Sequence, residues 1–175
     1  MVEYFFAADH HFDHANIIQF CNRPFETVDE MNEVLITRHN SIVKKEDMVI
    51  VAGDFSFANK KRTFTEFINK LNGNFVFLRG SHDRWMGKHG GNFHEIWERT
   101  IQKQKIVVCH YAMRTWAASH YNSWQLYGHS HGTLEPVGKQ WDIGVDTNDF
   151  YPYSFEQIKD IMSKRPDNPN LITKR

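Results

Sequence analysis

The chain has 175 residues, enough for one domain with a substantial core. Its 21 basic and 21 acidic residues cancel, which argues against an extended nucleic-acid surface or an anionic membrane face. Two cysteines make no disulfide framework, no apolar run reaches the roughly 20 residues that span a bilayer, and Met1 leads into a strand-like run without a signal-peptide pattern, so a cytoplasmic protein is expected.

Val2–Ala8 is apolar nearly throughout and reads as a buried strand. Asp29 to Val43 carries Met31, Val34, Leu35, Ile42 and Val43 at roughly helical spacing, and Met48–Ala52 is a second buried strand. Thr63 to Leu71 reads as a short amphipathic helix, ended by Asn72-Gly73-Asn74, and Phe75–Leu78 as a third strand. Strand–helix–strand–helix–strand is the rhythm of parallel α/β structure. The second half changes rhythm. Glu95–Ile101 and Lys105–Tyr111 form a hairpin pattern around Gln102-Lys103-Gln104, and Gln125–Gly128 and Trp141–Val145 follow with little room for helices, which suggests a more antiparallel sheet. Ser154-Phe155-Glu156-Gln157 is a capping-box pattern that opens a last helix, ended by Pro166. The expectation is α/β architecture with two packed mixed β-sheets flanked by helices. Residues 1–165 form the domain, and 166–175 a polar, poorly ordered C-terminal tail.

Five of the apolar runs end in Asp or His. They deliver Asp9-His10-His11, Gly53-Asp54, Gly80-Ser81-His82-Asp83, His110 and Gly128-His129-Ser130-His131. Ligands of open α/β sheets bind beyond the carboxyl ends of the strands, so these tips can share one crevice. Asp9 and His11 are two apart and face the same side if the chain is extended there, as do His129 and His131. Imidazole and carboxylate together suit divalent transition metals. Asp9, His11, Asp54, His110, His129 and His131 exceed the three or four protein ligands of one zinc site, and serve two ions if Asp54 bridges. Two divalent ions outweigh the two carboxylates and a bridging hydroxide, so such a site attracts a phosphoryl group.

The ordered set of motifs from Asp9 to His131 resembles the calcineurin-like metallophosphoesterases, and the segment Trp141–Asp146 with the last helix resembles the ending of their small members. The resemblance implies a four-layer sandwich and hydrolysis of phosphoric esters by attack of a metal-bound hydroxide, with a slight lean to phosphodiesters. It implies two divalent ions (manganese, iron, zinc or nickel): one held by Asp9, His11 and His131, the other by His110 and His129, with Asp54 between them. His82 would be the catalytic histidine and Asp83 the carboxylate that orients it. The family has Asn where this chain has Ser81, a shorter and poorer neutral ligand, so weaker binding of the second ion is expected. A catalytically weakened scaffold acting as a binding module is the alternative, and Ser81 is its sequence support. The DHH phosphoesterase signature also reads Asp9-His10-His11 but leaves the later motifs unexplained.

Arg84, Arg114 and His14 are candidate substrate-binding residues, the arginines because guanidinium clamps phosphate oxygens. The substrate would be a small phosphoester, with nucleotides among the candidates. Trp85, Trp116, Tyr121 and Trp124 suit core packing better than base stacking. His10 should face away from the site and Cys109 into the core, with Cys21 structural. His39, His89, His94 and His120 carry no motif and are read as surface or rim residues. Asp13 is an acidic group at the rim, where small members of the family often have Gly, and Lys60-Lys61-Arg62 reads as a solvated helix start.

Overall fold

The computed structural model describes residues 2–87 and 94–172. Two four-stranded sheets account for the architecture. In the first, β1 (Tyr4–Ala7), β2 (Met48–Ala52) and β3 (Asn74–Leu78) pair in parallel, and β8 (Tyr153–Ser154) adds to β1 antiparallel, in the order β3-β2-β1-β8. The second has the order β4-β5-β6-β7, from Ile96–Ile101, Gln104–Cys109, Trp124–Tyr127 and Gln140–Asp142. The expected architecture of two packed mixed sheets with helices is therefore present.

One face of the first sheet (Phe5, Ala7, Val49, Val51) packs on helices through Met31, Leu35 and Phe67. Its other face (Phe6, Ala8, Ile50, Ala52, Leu78) meets Ile106, Val108, Trp124 and Leu126 of the second sheet. Alternation along β1 and β2 sends successive apolar side chains to opposite cores, which is why these strands read as unbroken apolar runs.

Helix α1 (Ala15–Phe20) follows β1 and went unread in the sequence; only Ile17 on it is buried, so it lacks a periodic apolar stripe. Helix α2 (Val28–Ile42) begins within a residue of the expected start. The Thr27 hydroxyl accepts from the backbone N–H of Glu30, and Asp29 and Glu30 occupy the positive first turn. The expected helix at Thr63–Leu71 is instead a short helix α3 (Lys60–Arg62) that widens to a π turn at Thr63–Phe67 and tightens to a 3-10 turn at Ile68–Lys70. Thr63 Oγ1 donates back to the Asn59 carbonyl, a bond that competes with regular helix geometry. Helix α4 (Phe155–Lys164) has the expected capping box between Ser154 and Gln157 and ends before Pro166.

The second sheet is less antiparallel than its sequence suggests. Only β4–β5 is antiparallel; β5–β6 and β6–β7 run parallel. The segments 110–123 and 128–139 are long enough to cross back without a helix, which is what a parallel connection requires. Segment 110–123, with a 3-10 turn at Ser119–Tyr121, covers the outer face of this sheet: the buried Gln125 and Gln140 side chains donate to the carbonyls of Tyr111 and Met113. Residues 166–172 are not the loose tail expected. Asn168 is buried and donates to the carbonyls of Ser119 and Ser123, and the Ile172 N–H donates to the His120 carbonyl. The polar composition that suggested a tail is spent on closing this loop; residues 173–175 lie outside the described residues, as does His89. No described helix is long and apolar enough to cross a membrane.

His39 was read as a surface residue, yet it is buried on the inner side of α2, where its Nε2–H donates to the Asn72 carbonyl at 2.8 Å. Burial lowers its pKa to about 4, against the weaker opposing effect of that bond. The unfolded chain takes up this proton near the ordinary histidine value of about 6.5 and the folded chain only near 4. His39 therefore contributes full stability above about pH 6.5, lost at up to about 1 kcal/mol per pH unit as the pH falls to 4. Urea unfolding of wild type and His39→Gln between pH 4 and 7.5 should show a shallower pH slope in the variant, which keeps the donor and removes the titration. Equal slopes would contradict the assignment.

Candidate metal centre

The carboxyl ends of β1 and β2 and of β5 and β6 meet at one place. The backbone N–H of Asp9 donates to the Gly53 carbonyl, that of His11 to the Asp54 carbonyl, and that of Gly128 to the His110 carbonyl. There is no room for a side chain at these crossings. A Cβ on Gly80 would lie 2.1 Å from the Asp54 nitrogen, and one on Gly128 2.7 Å from Asp9 Oδ2.

Three groups of side chains that could hold a metal ion result. Asp9, His11 and His131 form the first and Asp54, His110 and His129 the second; Cys21, His131 and Asp146 form a third that shares His131 with the first, but both Asp146 oxygens already pair with Arg23. In the first two groups both carboxylates are buried, as are His11 and His110; His131 is half-buried and His129 exposed. The sequence expectation that Asp9 and His11 share a side because the chain is extended is incorrect in its cause. Asp9 (φ 58°), His11 (φ 53°), Asp54 (φ 51°), His129 (φ 69°) and His131 (φ 47°) are all in the left-handed region. Each such residue costs roughly 1–2 kcal/mol, and turning the tip inward brings the side chains together. Strain of this kind clusters at functional sites.

Asp54 stands between the groups. Its Oδ2 is 3.4 Å from His110 Nε2 and 3.8 Å from His11 Nε2, neither aligned as a hydrogen bond. Its Oδ1 accepts from the His82 backbone N–H at 2.7 Å, and its Oδ2 from the Ser81 hydroxyl at 3.1 Å. Asp9 Oδ2 accepts from the His129 N–H at 2.8 Å. Asp9 Oδ1, His11 Nε2 and His110 Nε2 are buried with no hydrogen-bond partner. Such groups cost about 1–3 kcal/mol each, and a cation among them removes the cost. The mixed carboxylate and imidazole donors fit a divalent transition metal. Outer bonds orient the rings: His110 Nδ1 meets the Ala52 carbonyl at 2.8 Å and His131 Nδ1 meets Asp146 Oδ2 at 2.8 Å, which frees each Nε2.

Electrostatics agree with that fit. Burial pushes the Asp9 carboxyl up to about 7 despite the nearby His131 and His110. Burial also holds His11 far below the ordinary histidine range and lowers His129. For Asp54, burial raises the pKa, but His110 and the His82 N–H outweigh it and keep the carboxylate ionised. Burial likewise lowers His110, and Asp54 and Asp9 reverse it.

The other expected residues divide. The exposed His82 ring stands 5.7 Å from His11 and 4.9 Å from Phe57, at the mouth of the site. Asp83 does not orient it. That carboxylate is buried and accepts from the backbone N–H groups of Asp54, Phe55 and Gly80 and from Trp85 Nε1, all at 2.7–2.8 Å. These four donors, with the Ser56 N–H at 3.4 Å, saturate it, so Asp83 fixes the loop that carries Asp54. His14 stacks on Phe57 at 3.7 Å, and its Nδ1 is 3.1 Å from His11 Nδ1. Arg84 lines a hollow with Ser81 and Asp83, whereas Arg114 lines a cavity with Met113, Trp116 and Gln140 on the outer side of the second sheet. Arg114 thus follows His110 in sequence without following it into the site. Asp13 bonds Asn32 and pairs with Arg62, so neither is free at the rim. His10 is buried against Phe12, away from the site as expected.

Sequence reasoning assigned no role to Arg23, Asp146, Phe57 or Tyr111. Arg23 and Asp146 are joined across 123 positions of the chain, and no local pattern signals that. Phe57 is 42% and Tyr111 47% exposed, and Tyr111 lies 4.8 Å from both His110 and His129. Among the aromatics read from the sequence, Trp85 and Trp124 are core residues.

No protein-family model matches the chain. It is 32% identical over 172 residues to the uncharacterized protein MJ1445 of Methanocaldococcus jannaschii, covering 94% of this chain and 93% of that one. Its fold is similar to that of a protein of unknown function, AQ665 from Aquifex aeolicus, with a TM-score of 0.72 and 21% identity over 92% of this chain and 100% of the other. A Vps29 variant from Entamoeba histolytica aligns with a TM-score of 0.46 and 17% identity over 82% of this chain and 73% of its own. The extent and identity of the first match show that this chain belongs to one family with the uncharacterized protein MJ1445.

Proposed function

We propose that this protein is a metal-dependent phosphoesterase of the calcineurin-like type, with Asp9, His11 and His131 holding one divalent ion, His110 and His129 a second, and Asp54 shared between them. The observation that carries the reading is the convergence of three buried, unpartnered ligand atoms, Asp9 Oδ1, His11 Nε2 and His110 Nε2, beside a carboxylate within 4 Å of both imidazoles. A pair of divalent ions supplies Lewis acidity toward phosphoryl oxygens and acidifies water. The chain's own residues do the rest. His82, exposed beside His11, hydrogen-bonds the phosphoryl group and gives a proton to the departing ester oxygen. Asp83 and Gly80 fix the Asp54 loop, so the shared carboxylate needs no reorganisation. Arg84, which shares a hollow with Ser81, and His14, stacked on Phe57, would meet the substrate's outer oxygens.

The exposed flanks of the site are aromatic, Phe57 on the His11 side and Tyr111 on the His129 side. Flat surfaces of this kind favour an ester whose alcohol carries a planar ring, which is the reason to lean toward diesters and nucleotides. The intact set of candidate ligands favours an enzyme over a binding module.

Two measurements test this reading. Hydrolysis of bis(p-nitrophenyl) phosphate with added manganese should be measurable, and Asp54→Asn should lower kcat by more than the roughly 100-fold typical of losing an outer-shell partner; no turnover with manganese, iron, zinc or nickel would refute it. Ser81 donates to the same Asp54 oxygen that faces His110. Metal titration should show the second ion bound more weakly than the first, with Ser81→Asn tightening it about tenfold, and equal affinities in both proteins would refute the Ser81 assignment.

A further inference from the structure

The two ligand groups differ in how firmly they are held, and one buried arginine accounts for the difference. Arg23 lies in the turn after α1, and its side chain is fully buried. Its Nε and Nη2 donate to the two oxygens of Asp146, each at 2.8 Å, a bidentate pair. The same guanidinium donates from Nη2 to the Asp9 carbonyl at 2.7 Å and from Nη1 to the His10 carbonyl at 2.9 Å. Asp146 Oδ2 in turn accepts from His131 Nδ1. One side chain therefore fixes the left-handed Asp9–His11 turn through its backbone and the His131 ring through Asp146. All three candidate ligands of the first group hang on it. Because Arg23 and Asp146 neutralise each other, the clamp adds no net charge to repel a cation.

In the second group Asp83 and the His82 N–H fix the Asp54 carboxylate, but no single side chain holds that carboxylate and its imidazoles together. His110 is oriented by the Ala52 carbonyl, but His129 is exposed, and among the described residues its ring meets only the rings of His110 and Tyr111. We infer that Arg23, with Asp146, is the positioning residue of the first centre, and that the first centre takes its divalent ion first and more tightly because its ligands are already fixed. This rests on the two-centre reading above.

The test is titration of the metal-free full chain with Mn2+, followed by the paramagnetic resonance of free Mn2+, without substrate. Wild type should show a tight and a loose class. Arg23→Met should weaken the tight class by about 10–100-fold, the range for loss of an outer-shell partner, and leave the loose class unchanged. Arg23→Lys should recover part of the loss, since an ammonium still donates to the Asp9 and His10 carbonyls. Asp146→Asn, close to Asp146 in size, should weaken the tight class and change the ring 15N shifts of His131; it carries the test if Arg23→Met does not fold. An unchanged tight class in the folded variants, or equal weakening of both classes, overturns the inference alone. Failure of wild type to bind any Mn2+ overturns the two-centre reading and this inference together.

Discussion

The closeness with which two sheets approach each other at their carboxyl ends governs this structure. At Gly128 of the second sheet the backbone lies against the Asp9 side chain of the first, and at Gly53 of the first against the His110 ring of the second, nearer than any Cβ could tolerate; within the first sheet Gly80 is as close to Asp54. That approach buries the carboxylates of Asp9 and Asp54 among imidazoles. Burial of this kind is unfavourable unless each polar atom finds a partner. Backbone N–H groups supply some: Asp9 Oδ2 takes that of His129 and Asp54 Oδ1 that of His82. The atoms left over, Asp9 Oδ1, His11 Nε2 and His110 Nε2, are ones that a cation would satisfy, so the compensation the fold requires and the capacity to hold metal rest on the same atoms.

The acidic residues around this gap serve different ends. Asp83 gathers four backbone N–H groups and the Trp85 indole, and so fixes the loops after β2 and β3. Asp142 does similar work on the other side, accepting from Gly132 N, Gly144 N and Ser130 Oγ. Asp146 orients a ring. Among the described residues, Asp9, Asp54 and Asp146 belong to groups that could hold metal, and both oxygens of Asp146 are already paired with Arg23. The division follows donor supply: a carboxylate surrounded by N–H groups is saturated, whereas one short of donors retains an oxygen for a cation.

How much of this was legible in the sequence depends on the range of the interaction. Asp9, His11, Asp54, His110, His129 and His131 could be found because each ends an apolar run, and strand-tip position is a local property. The parallel first sheet followed from alternation of strands and helices. The pairing in the second sheet did not, because a long irregular connection such as 110–123 permits a parallel crossover that composition does not reveal. Asp83 was misread because it adjoins His82 in sequence while its carboxylate turns to the β2 loop. Adjacency also misplaced Arg114. His39 was taken for a surface residue since a lone imidazole on a polar helix carries no sign of its neighbours. Arg23 and Asp146 make a long-range pair whose partners are visible only in three dimensions.

Burial also gives the site a direction. Asp9, His11, Asp54 and His110 are each 2% exposed or less, His131 is half-buried, and His129 and His82 are exposed. The gap is most accessible where protection is least, at the exposed His129, His82, Phe57 and Tyr111. The first two groups each set two of the buried residues at the floor, and each adds one more accessible imidazole, His131 or His129. Asp54 is fixed at the floor by the His82 N–H and the Ser81 hydroxyl, and through its own N–H by Asp83. The groups differ in the outer imidazole: His131 is half-buried and bonded to Asp146, whereas His129 is exposed and its ring makes no hydrogen bond among the described residues. The asymmetry between the groups thus lies in what holds each outer imidazole, since a ring without a fixed partner can turn at little cost.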